Sequence, residues 1–156
     1  MQVPKNFNFI EKETQIYQEW EAMNCFQPND NTETFSIIMP PPNATGQLHV
    51  GHACGLSIQD IMVRFKRMQG CSTWYIPGTD HAALATSSKV EGLYFKKEGK
   101  TRHDYGREKF LELVNEYVKN SQDTIIKQTK VVGTSCDWKN IRYTMDNTTS
   151  NNVIET

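Results

Sequence analysis

The sequence predicts an α/β fold, a parallel βαβ unit with flanking helices, and three stretches carry that prediction. Phe35-Ser36-Ile37-Ile38-Met39 is short, rich in β-branched residues and cut off by Pro40-Pro41-Pro42, the pattern of a buried strand with a stiff extended exit. From Val50 onward apolar residues recur at helical spacing, at Cys54, Ile58, Ile61, Met62 and Phe65, until Gly70 ends the run. Ser72-Thr73-Trp74-Tyr75-Ile76 supplies a second strand, closed by Pro77-Gly78. Two strands joined through about five turns of helix make a right-handed crossover. Ligands of such units sit beyond the carboxyl ends of the strands, which places residues 40–52 and 77–81 on one rim.

The remaining elements follow in order. Residues 4–26 read as an amphipathic helix started by Pro4 and the neighbouring asparagines, with Ile16, Tyr17, Trp20 and Met23 as one stripe among Glu11, Glu13, Glu19 and Glu21. Residues 27–34 are polar and turn-forming, a loop into the first strand. Residues 84–99 predict a further helix. Thr101-Arg102-His103-Asp104 matches a capping box ahead of a long helix whose stripe is Phe110, Leu113, Val114, Tyr117 and Ile125. Asp104, Glu108, Glu112 and Glu116 stand four apart on another face, a solvated row. Residues 131–143 hold a Gly-Thr-Ser turn and a Trp138 anchor, and residues 146–156 read as a polar tail with no packing signal. The organisation is thus an N-terminal helical segment (1–34), a body (35–146) and a polar tail or truncation point (147–156).

Composition narrows the function classes. With 156 residues the chain suits one domain of ordinary size, or part of something larger. Seventeen basic and 18 acidic side chains leave a formal charge of −1, so no whole-chain attraction to nucleic acid exists and any such contact is local. Cys25, Cys54, Cys71 and Cys136 lie far apart without a Cys-x-x-Cys pair, which suggests neither a zinc knuckle nor a disulfide framework and fits a reducing compartment. Residues 1–9 lack a signal core and no stretch is apolar for long enough to span a bilayer, so the expectation is a cytoplasmic protein without membrane contact.

The chemistry concentrates in Asn43-Ala44-Thr45-Gly46-Gln47-Leu48-His49-Val50-Gly51-His52. His49 and His52 face the same way from the first turn of the predicted helix, where backbone N–H groups and the positive dipole end favour an anion. On this reading the imidazoles donate to phosphate oxygens as charge builds on them, Gly51 leaves room for a flat adenine ring, and Gly46 and Asn43 relax the loop so that Thr45 reaches a phosphate. The rival readings are a zinc site, which needs further ligands, and two histidines without function. Neither a dinucleotide fingerprint nor a Walker loop is present. Asp80, placed at a strand's end by the Pro-Gly turn, is the candidate for holding a cationic group of a small substrate; as a local alternative it caps a helix beginning near Ala82.

Residues 39–52 resemble the His-x-Gly-His signature of class I aminoacyl-tRNA synthetases, in the form typical of valyl-tRNA synthetases. Gly78–Ala82, Thr101–Phe110, Gly133–Trp138 and Tyr143–Asp146 are similar to further segments of the same family, in order, so the resemblance covers roughly residues 4–146. It implies the first half of a class I Rossmann-like nucleotide-binding domain, incomplete in these residues. It also implies valine activation: ATP with Mg2+ as substrate, no protein-bound metal, a valyl-adenylate intermediate and transfer to tRNA(Val). By resemblance His49 and His52 are catalytic, Asn43, Thr45, His49, Gly51 and His52 bind ATP, and Pro41 and Asp80 bind the amino acid. Ala83 stands where the family usually has glycine, Ser87 where it has glutamine and Asn115 where it has tryptophan. The family's editing insertion, Lys-Met-Ser-Lys-Ser loop and anticodon-binding region do not occur among these residues. The expectation is therefore a valine-tRNA ligase fragment that needs remaining synthetase domains, in the same or another chain. The alternative is a non-catalytic synthetase-like protein that holds ATP, an adenylate or a protein partner. Unaided, a valine pocket rejects isosteric threonine by only about a hundredfold.

Overall fold

The computed structural model describes residues 8–156; the expected start at Pro4 lies outside the described residues. The first helix, α1 (Phe9–Ala22), places one side chain of its stripe, Tyr17, in the interior, while Met23 stays exposed. The Tyr17 hydroxyl donates to the Thr134 carbonyl (2.6 Å) and accepts from Trp138 Nε1 (2.7 Å), so the predicted Trp138 anchor fastens this helix. Lys130 pairs with Glu21 at 2.7 Å beside it.

Strand β1 (Thr34–Ile38) runs parallel to β2 (Ser72–Ile76) in the register Thr34–Ser72 through Ile38–Ile76, joined through α2 (Val50–Met68). The pairing continues one residue further, where Met39 N–H donates to the Ile76 carbonyl at 2.9 Å. Met39, Leu56, Val63, Tyr75 and Cys136 form the core between sheet and helix. The stripe that the spacing selects on α2 is not its buried face: Val50 is 86 % exposed, and Ile58, Ile61, Met62 and Phe65 are exposed with it. Leu56, Asp60 and Val63 are buried instead. A buried acid at the centre of the packed face hides it from a hydrophobicity pattern. Asp60 is held by Arg64, by the Ser135 backbone N–H (2.7 Å) and by the Ser135 hydroxyl, so its charge is both paired and hydrogen-bonded.

After β2 the chain stays extended as β3 (Gly78–Thr79), which pairs in parallel with β4 (Arg142–Tyr143). Next comes α3 (Ala83–Glu98), ended by Gly99 at φ 70°. The capping box at Thr101 and Asp104 forms as predicted, but it caps a single turn, α4 (Arg102–Tyr105). Gly106 at φ 75° breaks the chain there, and the long helix α5 (Arg107–Val131) starts afresh. Phe110, Val114 and Val118 of α5 pack with Ala44 and Val90 into a second core, and the row Glu108, Glu112 and Glu116 faces solvent. Residues 147–156 are not an unstructured tail: Asn147–Glu155 form α6, whose first turn is capped by the Asp146 carboxylate accepting from Thr149 N–H at 2.7 Å. No helix among the described residues is long and apolar enough to cross a membrane.

A second buried acid closes the body. Asp137, 0 % exposed, accepts from Trp74 Nε1 (2.8 Å), Gln27 Nε2 (2.6 Å), Asn140 Nδ2 (2.6 Å) and the Lys139 backbone N–H (3.2 Å). Burial pushes its carboxyl up; the donors outweigh that and hold it below the usual carboxylate range. A folded pKa below the unfolded one adds stability that is present above pH ~4 and lost as pH falls through the folded value. Asp137→Asn is expected to cost about 2 kcal/mol in urea unfolding at pH 7. The difference from the parent chain should shrink as the pH is taken below 4.

Candidate functional site

Beyond Met39 the two strand exits remain stitched together by main chain. Asp80 N–H donates to the Pro42 carbonyl (2.9 Å), Ala44 N–H donates to the Asp80 carbonyl (2.7 Å), and Asn43 and Asp80 form a bridge. Asn43 and Asp80 therefore stand side by side on the carboxyl rim, as the parallel crossover requires. Pro41 lies beside them, lining with Ile38, Pro77 and Tyr143 a small cavity of about 130 Å³. The fully buried Ala44 methyl pins the loop to the second core, and Gly46 turns it at φ 144°, a conformation that L residues rarely adopt.

The loop delivers His49 as the N-cap of α2 in extended conformation. Its Nδ1 accepts from Gly51 N–H (3.1 Å), and Nδ1 of His52 accepts from His49 N–H (3.2 Å), with ring centroids 3.9 Å apart. Sequence reasoning left the leading N–H groups of the helix open for an anion. Two of them are instead engaged internally, that of His52 with the His49 carbonyl and that of Gly51 with the His49 ring. The consequence is chemical. A ring nitrogen that accepts a hydrogen bond does so without a proton, so with Nδ1 as acceptor Nε2 is the nitrogen that each ring has left to donate. Burial, and then the neighbouring His49, lower the pKa of His52, which favours its neutral form. Protonation would put a hydrogen on Nδ1 and break the cap. Among the described residues no group of three or more His, Cys, Asp or Glu side chains is placed to hold a metal ion.

Gly51 has a further reason to be glycine. A Cβ there would stand 2.9 Å from Cε1 and 3.1 Å from Nδ1 of His49, so the ring folds over the space a side chain would fill. Thr45 is fixed through its carbonyl, which accepts from the Tyr117 hydroxyl at 2.8 Å.

Asp80 is not a helix cap. The residue preceding α3 is Ala82, at φ 50°, and no side chain caps that helix. Asp80 Oδ1 accepts instead from the Thr144 hydroxyl (2.9 Å), which itself accepts from His81 N–H (2.9 Å). His81 Nδ1 lies 2.7 Å from the Tyr143 hydroxyl. Tyr143 and Thr144 are site neighbours that spacing could not reveal, because β4 reaches β3 only through the tertiary fold. Their sole sequence signal is the resemblance of residues 143–146.

The family model for tRNA synthetases class I (I, L, M and V) matches residues 15–156, and the chain belongs to the class I tRNA synthetases. Curated proteins it is similar to include valine–tRNA ligases. It is 47 % identical over 154 residues to that of Carboxydothermus hydrogenoformans, covering 98 % of this chain and 17 % of the relative. It is 45 % identical over 140 residues to that of Thermotoga maritima, covering 90 % and 16 %. The fold matches a ternary complex of Agrobacterium radiobacter K84 agnB2 LeuRS with tRNA and LeuAMS at a TM-score of 0.72 and 18 % identity, over 92 % of this chain and 17 % of that one. The chain thus spans about a sixth of the length of the proteins it matches.

Gly51→Ala is expected to expel the His49 ring from its cap. In imidazole nitrogen NMR, His49 should lose the pure Nε2–H form while His52 retains it. The melting temperature should change little, since the helix propensity gained by alanine and the cap lost are each about 1 kcal/mol.

Proposed function

We propose that this chain forms the ATP- and valine-binding part of a valine–tRNA ligase. The observation that carries the reading is the paired histidine cap: two neutral imidazoles, locked by backbone donors, present Nε2–H groups at the positive end of α2, on the same rim as Asp80. Anion recognition by rigid neutral donors suits the phosphates of ATP. As the valine carboxylate attacks the α-phosphate and pyrophosphate departs, negative charge grows on the equatorial oxygens. Donors already oriented stabilise it without reorganising. His49 and His52 are the catalytic pair in this reading. Asn43 and Thr45 hold the triphosphate, and Gly51 serves the site by leaving room for the His49 ring, which takes the space that the sequence reading gave to the adenine. Asp80, steadied by Thr144, pairs with the valine ammonium group next to Pro41. Mg2+ arrives with ATP as part of the substrate.

Adenylate formation and transfer of the valyl group to tRNA are proposed for a protein that carries further synthetase segments, in this chain's own continuation or in a partner. Two surfaces support that requirement. The sheet pairs β1 with β2 alone, leaving the far edge of β1 unpaired among the described residues, and α2 exposes Val50, Ile58, Ile61 and Met62. The same surfaces favour a second reading for the chain by itself, nucleotide binding without turnover.

The His49→Ala, His52→Ala double variant should bind ATP at least a hundredfold more weakly in calorimetry, two hydrogen bonds to charged oxygens being worth about 1.5–3 kcal/mol each. Helical content by circular dichroism should be retained. Unchanged nucleotide affinity would remove the phosphate reading and return zinc as the candidate ligand.

A further inference from the structure

The loop that carries the proposed site is held from outside, by α5. The Tyr117 hydroxyl donates to the Thr45 carbonyl (2.8 Å), and Gln128 Oε1 accepts from the Leu48 backbone N–H (2.8 Å). These side chains stand about three helical turns apart and so project from one face of α5. That face is itself immobilised, since Val114, Val118, Ser121 and Ile125 are buried. Between the two anchored peptide groups lie Gly46, with the widest conformational freedom of any residue, and the exposed Gln47. Immediately beyond Leu48 stands His49, whose own N–H holds the His52 ring. Gln128 also lines, with Leu48, His49 and Ala53, an open hollow of about 370 Å³ beside the histidine cap.

We propose that Tyr117 and Gln128 are positioning residues of the phosphate site: they touch no nucleotide, and they fix the peptide groups of Thr45 and Leu48 so that the loop meets α2 with its histidines aimed. This rests on the reading of residues 43–52 as the ATP phosphate site. Without the two anchors the Gly46 joint swings, and the imidazole donors must be ordered at the moment of binding, a cost that appears as lost affinity. A third bond from the same helix, Gln122 Nε2 to the Thr79 hydroxyl (2.9 Å), goes to β3 and not to the loop, and so serves as an internal control.

The experiment is ATP calorimetry on the chain and on Tyr117→Phe, Gln128→Met and Gln122→Met, with amide hydrogen exchange read at Leu48 in the parent, in Gln128→Met and in Gln128→Glu. Tyr117→Phe and Gln128→Met are each expected to raise the Kd for ATP about 5- to 10-fold, the size of one hydrogen bond. Gln122→Met, which removes a bond of the same kind, should stay within about twofold. Exchange at Leu48 should quicken in Gln128→Met and remain slow in Gln128→Glu, which keeps the acceptor. ATP affinity within twofold of the parent in both loop variants overturns the inference, as does an equal loss in all three, which marks α5 as a general support. Those results with His49→Ala, His52→Ala still abolishing binding overturn the inference alone. A parent chain that binds no ATP overturns the proposed function and the inference together.

Discussion

The parallel pairing of β1 with β2 is the constraint on which the rest of the structure depends. Parallel neighbours cannot be joined by a tight turn, so the chain must cross over, and the crossover here is α2. A right-handed crossover returns the chain to the carboxyl rim twice, once entering the helix and once leaving the second strand. Residues 40–52 and 77–81 meet there for that reason, and the Asn43–Asp80 bridge continues the parallel pairing beyond the ends of both strands. A two-stranded sheet is marginal by itself. Its support comes from Leu56 and Val63 beneath it, and from residues 134–138, which bury between sheet and helices a segment tied to Asp60 and Asp137.

At the rim the structure substitutes side-chain donors for backbone ones. A helix N-terminus ordinarily offers its first N–H groups to an anion. Here the Nδ1 atoms of His49 and His52 accept from the Gly51 and His49 backbone N–H groups, and in exchange each ring keeps Nε2 as its donor at the same positive end. The exchange extends the reach of the donors by the length of a ring and fixes the tautomer at once. It also explains the bare Cα at Gly51, on which the His49 ring rests. Pre-oriented imidazole donors suit the proposed reaction, in which phosphate oxygens that are already charged gain further negative charge in the transition state.

Much of this was legible from residue order. The second strand, the stop of α2, the capping box and the solvated acidic row all follow local rules, and local rules are what a single sequence displays. The misread elements have different causes, one tertiary and two local. The buried face of α2 runs through Asp60, which only the Ser135 N–H and Arg64 make tolerable, so an apolar count chose the opposite face. Gly106 splits one predicted helix into two by a positive φ that its neighbours do not announce. The helix α6 is a polar segment held at its start by Asp146. Around the site, His49, His52, Asn43 and Asp80 were visible as candidates, and the fold brings Asn43 beside Asp80 and sets both histidines at the start of α2. Thr144 and Gln128 were not, because each acts on a residue distant in sequence.

The most direct test of the central claim is an ATP titration of the isotopically labelled chain followed by backbone amide and imidazole NMR. The account predicts saturable shifts confined to residues 43–53, with both imidazole Nε2–H signals moving and the Nδ1 acceptors unchanged. Shifts gathered instead at the apolar cavity of about 440 Å³ between α1 and α5, lined by Tyr17, Trp20 and Lys130, or no saturable shift at all, would contradict it.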